Sequence, residues 1–329
     1  MGEKLKIGIL GSGAWGTALA CLLARNKHGV QLWGRDSDLC NEISTRHTNE
    51  KYLPGIELDK KIVAVENIED AIAGSQCLLL VTPAQTAGEL AKKITKLIPE
   101  NLALVMCAKG IDSETLLLPS DRVKEIIPQA SISALSGPSF ATDVARGLPT
   151  AVTLASGSLE EASRLAKNLS GDRFRIYASD DLRGVEIGGS LKNIIAIAVG
   201  VSRGMKLGAS AEAALITRGF AEIVRLATAM GGRKETIFGL SGLGDLTLTC
   251  SSVQSRNFSY GVAIGSGKGV KGLPLAEGAK SVFVAHKIAE MKNISCPIIS
   301  ITKLIIEGKV EPQETEALLL GRPLKAEGF

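Results

Sequence analysis

Lys192 has surroundings that demand an explanation from its chemistry. At helical spacing its neighbours are Gly188, Gly189, Ile195, Ala196 and Val199, a face that gives an ammonium no water. A lysine is seldom fully buried without a partner, so the position implies a functional charge or an inward ion pair. Asp245 is a candidate partner, set in Gly242-Leu243-Gly244-Asp245-Leu246-Thr247-Leu248-Thr249-Cys250, where polar groups punctuate apolar ones. Shortly after it, Ser255-Arg256-Asn257 offers a hydroxyl, a guanidinium and an amide to a phosphate at a helix start; a helix cap beside an exposed arginine is the plainer reading. Lys109 follows the apolar run 103–107, and Gly137-Pro138-Ser139 follows the run 131–135. Ligands of open α/β sheets bind beyond the carboxyl ends of strands, whereas a solvated loop lysine is the bland alternative for Lys109. A lysine placed as Lys192 is can act as an acid when protonated and, where burial and Lys109 lower its pKa against the raising pull of Asp245, as a base.

Gly11-Ser12-Gly13-Ala14-Trp15-Gly16 fits G-x-G-x-x-G and lies directly after a strand pattern and at the start of an apolar helical one, the context the motif requires. Gly11 makes the tight turn, Gly13 lets a pyrophosphate approach the backbone and Gly16 lets helix pack on strand, with the helix N-terminus facing the phosphates. Where the second strand ends, Gly34-Arg35-Asp36 pulls the cofactor assignment two ways. Asp36 is near the usual acidic residue for the ribose 2′-hydroxyl of NAD, while Arg35 suits a 2′-phosphate. Asp36 also reads as the N-cap of a helix beginning at Ser37. The expected cofactor is NADP or NAD, with NADPH slightly favoured.

The elements that must position these groups read as a βαβ opening: a strand over 6–10, a helix to about 25 and a strand over 30–33. Further apolar runs at 77–81, 103–107, 131–135, 151–154 and 174–177 alternate with helical segments, which predicts a mostly parallel sheet covered on both faces. After about Gly184 strand-like runs become scarce, and helices are expected near 184–202, 211–230, 278–291 and 297–307. The fold class is therefore α/β, with an N-terminal Rossmann-like domain over 1–183 and an all-helical domain over 184–329. The stretch Gly265-Ser266-Gly267-Lys268-Gly269 lacks the spacing, the hydroxyl residue and the preceding strand of a P-loop, and reads as a flexible loop.

The length of 329 residues suits two domains. A net charge of +4 without an acidic tail or basic arm argues against a nucleic-acid partner. Apolar runs such as 193–201 fall short of the roughly 18 residues of a membrane span, and no apolar h-region follows the N-terminus, so a cytoplasmic protein without a span is expected. Cys21, Cys40, Cys77, Cys107, Cys250 and Cys296 show no C-x-x-C spacing and read as buried small hydrophobes in a reducing compartment. His28, His47 and His286 are far apart, so no metal site is expected.

Along essentially its whole length the chain resembles the bacterial-type NAD(P)-dependent glycerol-3-phosphate dehydrogenases. The resemblance is carried by GSGAWGTALA at 11–20, Ala108-Lys109-Gly110, SGPSF at 136–140, GSLKNIIA at 189–196, ALITRG at 214–219, GLGDLTLTC at 242–250 and QSRN at 254–257. It implies reversible reduction of dihydroxyacetone phosphate to sn-glycerol 3-phosphate for phospholipid synthesis, by a homodimer with a C-terminal domain similar to that of 6-phosphogluconate dehydrogenase. By the same resemblance Lys192 is the catalytic lysine, Lys109 a second active-site lysine and Asp245 a site carboxylate. Gly137, Ser139, Asn193, Ser255, Arg256 and Asn257 match substrate positions. Ala14, Trp15, Arg35, Tyr52, Lys109, Ala141, Arg256, Leu275 and Glu277 match cofactor positions beside Gly11, Gly13 and Gly16. Two departures are visible: Ala84 where a serine is common, and Ser281 where a threonine is common. A reductase of 3-hydroxy acids with the same build needs a carboxylate site in place of a phosphate site. A non-catalytic nucleotide sensor has no use for Lys109, Lys192 and Asp245 together.

Overall fold

The structure, a computed structural model, describes residues 3–100, 102–274 and 276–315. The chain forms two compact units. Residues up to Ala108 together with Leu118–Leu182 make the first, and Lys109–Leu117 with the chain from Arg183 onward makes the second. The sequence places one division, between 183 and 184. The segment Lys109–Leu117 bears no compositional mark of the unit it packs with.

Among the described residues the first unit is built on eight strands: β1 (Lys6–Leu10), β2 (Gly29–Trp33), β3 (Ile62–Val65), β4 (Cys77–Leu80), β5 (Ala103–Met106), β6 (Ser131–Ser136), β7 (Thr150–Ser156) and β8 (Phe174–Ser179). They lie in the order β3-β2-β1-β4-β5-β6-β7-β8, and every pairing is parallel except β6 with β7. All residues of β4 and β5 are buried, as helices on both faces of a parallel sheet require. The helix Ala14–Arg25 buries an unbroken run from Gly16 to Ala24. The order of strands reverses between β1 and β4, so the loops after these two strands open the crevice in which such sheets bind ligands. Four residues long, β3 is absent from the sequence reading; it is an edge strand with Val63 half exposed.

The second unit is helical. Its helices Leu182–Gly204, Ala209–Ala229, Glu277–Met291 and Pro297–Ile306 fall where apolar periodicity puts them. Two short ones, Lys234–Phe238 and Asp245–Ser251, and a π-helical turn, Leu240–Gly244, do not appear in the sequence reading, because glycines and polar residues break the apolar period; Arg256–Gly265 begins at the helix start that Ser255-Arg256-Asn257 offers. The helix Leu182–Gly204 is the one described helix long and apolar enough to cross a membrane, and its apolar stretch, Gly184 to Ser202, is buried in the fold. The sequence places a helix near 184–202 over most of this length while counting only short apolar runs in it, such as 193–201. Glycines let it be enclosed: a Cβ on Gly200 would strike the Phe258 carbonyl, and one on Gly261 the Ile197 carbonyl, so this helix and Arg256–Gly265 pack backbone to backbone. After Gly265 the chain leaves the helix, with Gly267 and Gly269 at positive φ. All six cysteines are buried and none is joined in a disulfide.

Candidate active site

In the first unit, β1 leads into the glycine turn at Gly11. Its φ of +131° and the Val81 carbonyl 2.9 Å from any Cβ placed on it restrict the position to glycine. A Cβ on Gly16 would strike the Gly11 carbonyl, while one on Gly13 would meet nothing within 4 Å. Space above Gly13 and tight contact beneath Gly16 are the features a pyrophosphate cradle needs. Gly13 is the N-cap of Ala14–Arg25 and supplies no side-chain cap, so the first-turn amides remain donors for an anion. These residues fit a dinucleotide, and Ala14, half-buried Trp15 and exposed Arg35 lie on the same turn and at the end of β2.

Asn49 is fully buried and holds the turn from below. Its Nδ2 donates to the Ser12 carbonyl at 3.0 Å and to Thr17 Oγ1 at 2.8 Å, and its Oδ1 accepts from the Tyr52 amide at 3.1 Å. The sequence reading missed Asn49, since nothing in its local pattern reports a contact with Ser12. Asp36 is the N-cap of Ser37–Arg46, accepting from the Leu39 amide at 3.2 Å, as the capping alternative has it. Gly137, at φ +150° after β6, is held against the Val152 backbone. Ser139 Oγ donates to the Gly137 carbonyl at 3.0 Å, and Ala141 begins the short helix Ala141–Ala145. Leu275 lies outside the described residues.

In the second unit, Lys109, Lys192 and Asp245 form one hydrogen-bonded cluster. Lys192 Nζ donates to Asp245 Oδ1 at 2.5 Å and to Thr249 Oγ1 at 2.6 Å, and Lys109 Nζ donates to Asp245 Oδ2 at 2.7 Å. Thr249 in turn donates to the Asp245 carbonyl at 2.6 Å. Asp245 is 1% exposed and Lys192 6%, so a buried carboxylate is shared between a buried ammonium, Lys192, and a partly exposed one, Lys109. Burial pulls the Lys192 pKa down to about 8, against the raising pull of Asp245 and with the help of the Lys109 charge. Burial pushes the Cys250 thiol up to about 12, which removes it as a nucleophile. Thr249 is a member of the cluster that the sequence reading left out, although its place four residues after Asp245 puts both on one helix face.

Lys192 meets Asp245 because the backbone allows a close approach one turn before it. A Cβ on Gly188 would lie 2.9 Å from the Ser241 carbonyl, so only glycine lets the π-helical turn lean on Leu182–Gly204 and deliver Asp245. Gly188→Ala is expected to cost about 1–3 kcal/mol of stability through overpacking and to lower kcat while leaving cofactor affinity unchanged. Thermal denaturation, steady-state kinetics and a nucleotide titration of that variant check this.

The remaining residues of the second unit divide between support and exposure. Ser255 caps Arg256–Gly265, accepting from the Phe258 amide at 3.2 Å, and Arg256 is exposed, as in the plainer reading of this segment. Asn257 is buried and its Oδ1 accepts from the Gly278 amide at 2.9 Å, while Asn193 is buried beside Lys192 in the chain. Burial pushes the Glu277 carboxyl up, opposed by the positive charges of Arg256, Lys109 and Lys192, which puts Glu277 within electrostatic reach of the cluster.

Comparison with known proteins accounts for both units. Residues 6–162 match the N-terminal family of NAD-dependent glycerol-3-phosphate dehydrogenase, and residues 181–317 match its C-terminal family. A glycerol-3-phosphate dehydrogenase [NAD(P)+] of Chelativorans sp. (strain BNC1) is 46% identical over 99% of this chain and 100% of its own length. The protein of that name from Mesorhizobium japonicum is 49% identical over 98% of this chain and 94% of its own. The crystal structure of glycerol-3-phosphate dehydrogenase from Coxiella burnetii, 39% identical, superposes with a TM-score of 0.91 over 97% of this chain and 99% of that one. The chain therefore belongs to the NAD-dependent glycerol-3-phosphate dehydrogenase family.

Proposed function

We propose that this chain is an NAD(P)-dependent oxidoreductase that interconverts dihydroxyacetone phosphate and sn-glycerol 3-phosphate. The observation that carries the reading is the buried cluster of Lys192, Lys109, Asp245 and Thr249. In this reading a bound reduced nicotinamide supplies the hydride. Lys192 donates its proton to the substrate oxygen during reduction and, as the neutral amine, takes a proton from the alcohol during oxidation. Lys109 adds positive charge where the oxyanion develops, and Asp245 and Thr249 hold the Lys192 ammonium in place. Arg256, Asn257, Asn193 and Ser255 serve the substrate, with Gly137 and Ser139 on the first unit's loop. Glu277, Tyr52, Ala141 and Leu275 serve the cofactor. Family membership supports a homodimer and a role in phospholipid synthesis, and the six buried thiols suit a cytoplasmic setting.

The test is loss of reduced-cofactor absorbance on adding dihydroxyacetone phosphate, run with NADPH and NADH, with unphosphorylated dihydroxyacetone as control. Oxidation that depends on the phosphate is expected. Equal rates with the unphosphorylated ketone, or no oxidation by protein that binds the nucleotide, contradict the reading. Within it, Arg256→Ala is expected to raise KM for the phosphorylated substrate about tenfold or more by removing a charge-assisted contact, with a smaller effect on kcat. An unchanged KM in steady-state kinetics moves the phosphate contact elsewhere.

A further inference from the structure

Where β2 ends, the Asp36 carboxylate is occupied at both oxygens. Oδ1 accepts from the Leu39 amide and Oδ2 accepts from Lys51 Nζ at 2.6 Å. Lys51 Nζ also stands 5.4 Å from the centre of the Tyr52 ring. The pairing is mutual: it holds the Asp36 carboxyl below the usual carboxylate range and the Lys51 ammonium above its own. Arg35, the next residue, is exposed, and no carboxylate among the described residues pairs with it. Lys51 does not sit here by chance of a floppy loop. Asn49 ties the turn that bears Lys51 and Tyr52 to Ser12 and Thr17, which belong to the glycine turn and the helix it opens.

A bare carboxylate at this point of a dinucleotide fold accepts from a ribose hydroxyl and repels a 2′-phosphate. Here the carboxylate is neutralised, and the residue before it in the chain is an exposed arginine. We propose that Lys51, by neutralising Asp36, sets this chain's cofactor preference toward NADPH, leaving Arg35 beside a charge-balanced Asp36–Lys51 pair to receive the adenosine 2′-phosphate. The proposal rests on the reading that Gly11, Gly13 and Gly16 cradle a dinucleotide. It makes Lys51 a specificity-determining residue that acts through another side chain. An ion pair this exposed contributes little to folding, so Lys51 can be replaced without unfolding the unit.

The experiment is equilibrium titration of the full chain with NADPH and with NADH in the absence of substrate, followed by nucleotide fluorescence, for the parent protein, Lys51→Ala, Asp36→Asn and the double variant. The parent is expected to bind NADPH more tightly than NADH. Lys51→Ala is expected to raise the NADPH Kd about tenfold, the effect of an uncompensated carboxylate near a phosphate, while the NADH Kd stays within about twofold. Asp36→Asn keeps the helix cap without the charge, so in the double variant NADPH affinity returns to near the parent value. A parent that prefers NADH, an equal loss of both nucleotides in Lys51→Ala, no change in either, or a loss of NADPH affinity that persists in the double variant overturns the proposal. Failure of the parent to bind either nucleotide overturns the dinucleotide reading first, and the proposal with it.

Discussion

Lys192→Ala is expected to lower kcat by about 10⁴-fold while NADPH and NADH bind as before. General acid–base catalysis contributes about 10²–10⁴-fold and a positioned charge facing a developing oxyanion about 10²–10³-fold, and one ammonium supplies both. The glycine turn and Arg35 belong to the first unit and Lys192 to the second, so nucleotide affinity should not follow the loss. Alanine leaves a hole among buried apolar neighbours, and a weaker rate could then reflect a damaged fold. Lys192→Met separates the two effects, because it keeps most of the volume and removes only the charge. The same loss of kcat in a methionine variant with a parental melting temperature is the expected result in steady-state and thermal measurements. Turnover at the parental rate in either variant removes Lys192 from the chemistry.

Asp245→Asn is expected to be almost as costly to activity, by about 10²–10³-fold in kcat, for a different reason. The carboxylate takes Lys192 on one oxygen and Lys109 on the other. Without its charge, two ammoniums face each other across a site where one of them is buried. Removing one partner of a buried ion pair costs about 3–5 kcal/mol when the remaining charge must stay. Lys192 has a cheaper way out, which is to give up its proton, since burial already draws its pKa to about 8. The loss of stability should therefore be smaller than that range, and the reduction reaction should lose its proton donor at a lower pH than in the parent. A variant whose reduction rate falls at the same pH as the parent's shows that Asp245 does not set the Lys192 proton affinity. A pH series of kcat/KM together with denaturant unfolding at neutral pH reports both quantities.

What could be read from the sequence follows from how local each signal is. The glycine turn is legible because its strand, three glycines and helix are contiguous. Lys192 is legible as an anomaly because its apolar neighbours lie within two helical turns. Its partners are not, since Asp245 is 53 residues away from Lys192 and 136 from Lys109, and pairing over such distances is decided by packing. Gly188 carries that packing, yet in sequence it is one more glycine in a helix. Asp36 shows the opposite limit. Its capping role is local and was one of two open readings, while the lysine that neutralises it comes from a later turn fixed by Asn49. Ser255 likewise satisfies a local rule, N-capping, and the structure gives its hydroxyl that use. Thr249 was within reach of helical spacing once Asp245 was singled out, but the helix Asp245–Ser251 starts from a π-helical turn that no apolar period announces.

The claim on which the account turns is that Lys192 moves the proton, and the pH dependence of kcat/KM in the two directions tests it most directly, because that ratio reports the ionisation of the free enzyme. Burial lowers the Lys192 pKa to about 8, so the ammonium needed for reduction is present below that pH and the neutral amine needed for oxidation is present above it. Reduction of dihydroxyacetone phosphate should therefore decline as pH rises through about 8, and oxidation of glycerol 3-phosphate should rise through the same value, with both limbs lost in Lys192→Met. Profiles that stay flat between about pH 7 and 9, or that move in the same direction for both reactions, contradict it.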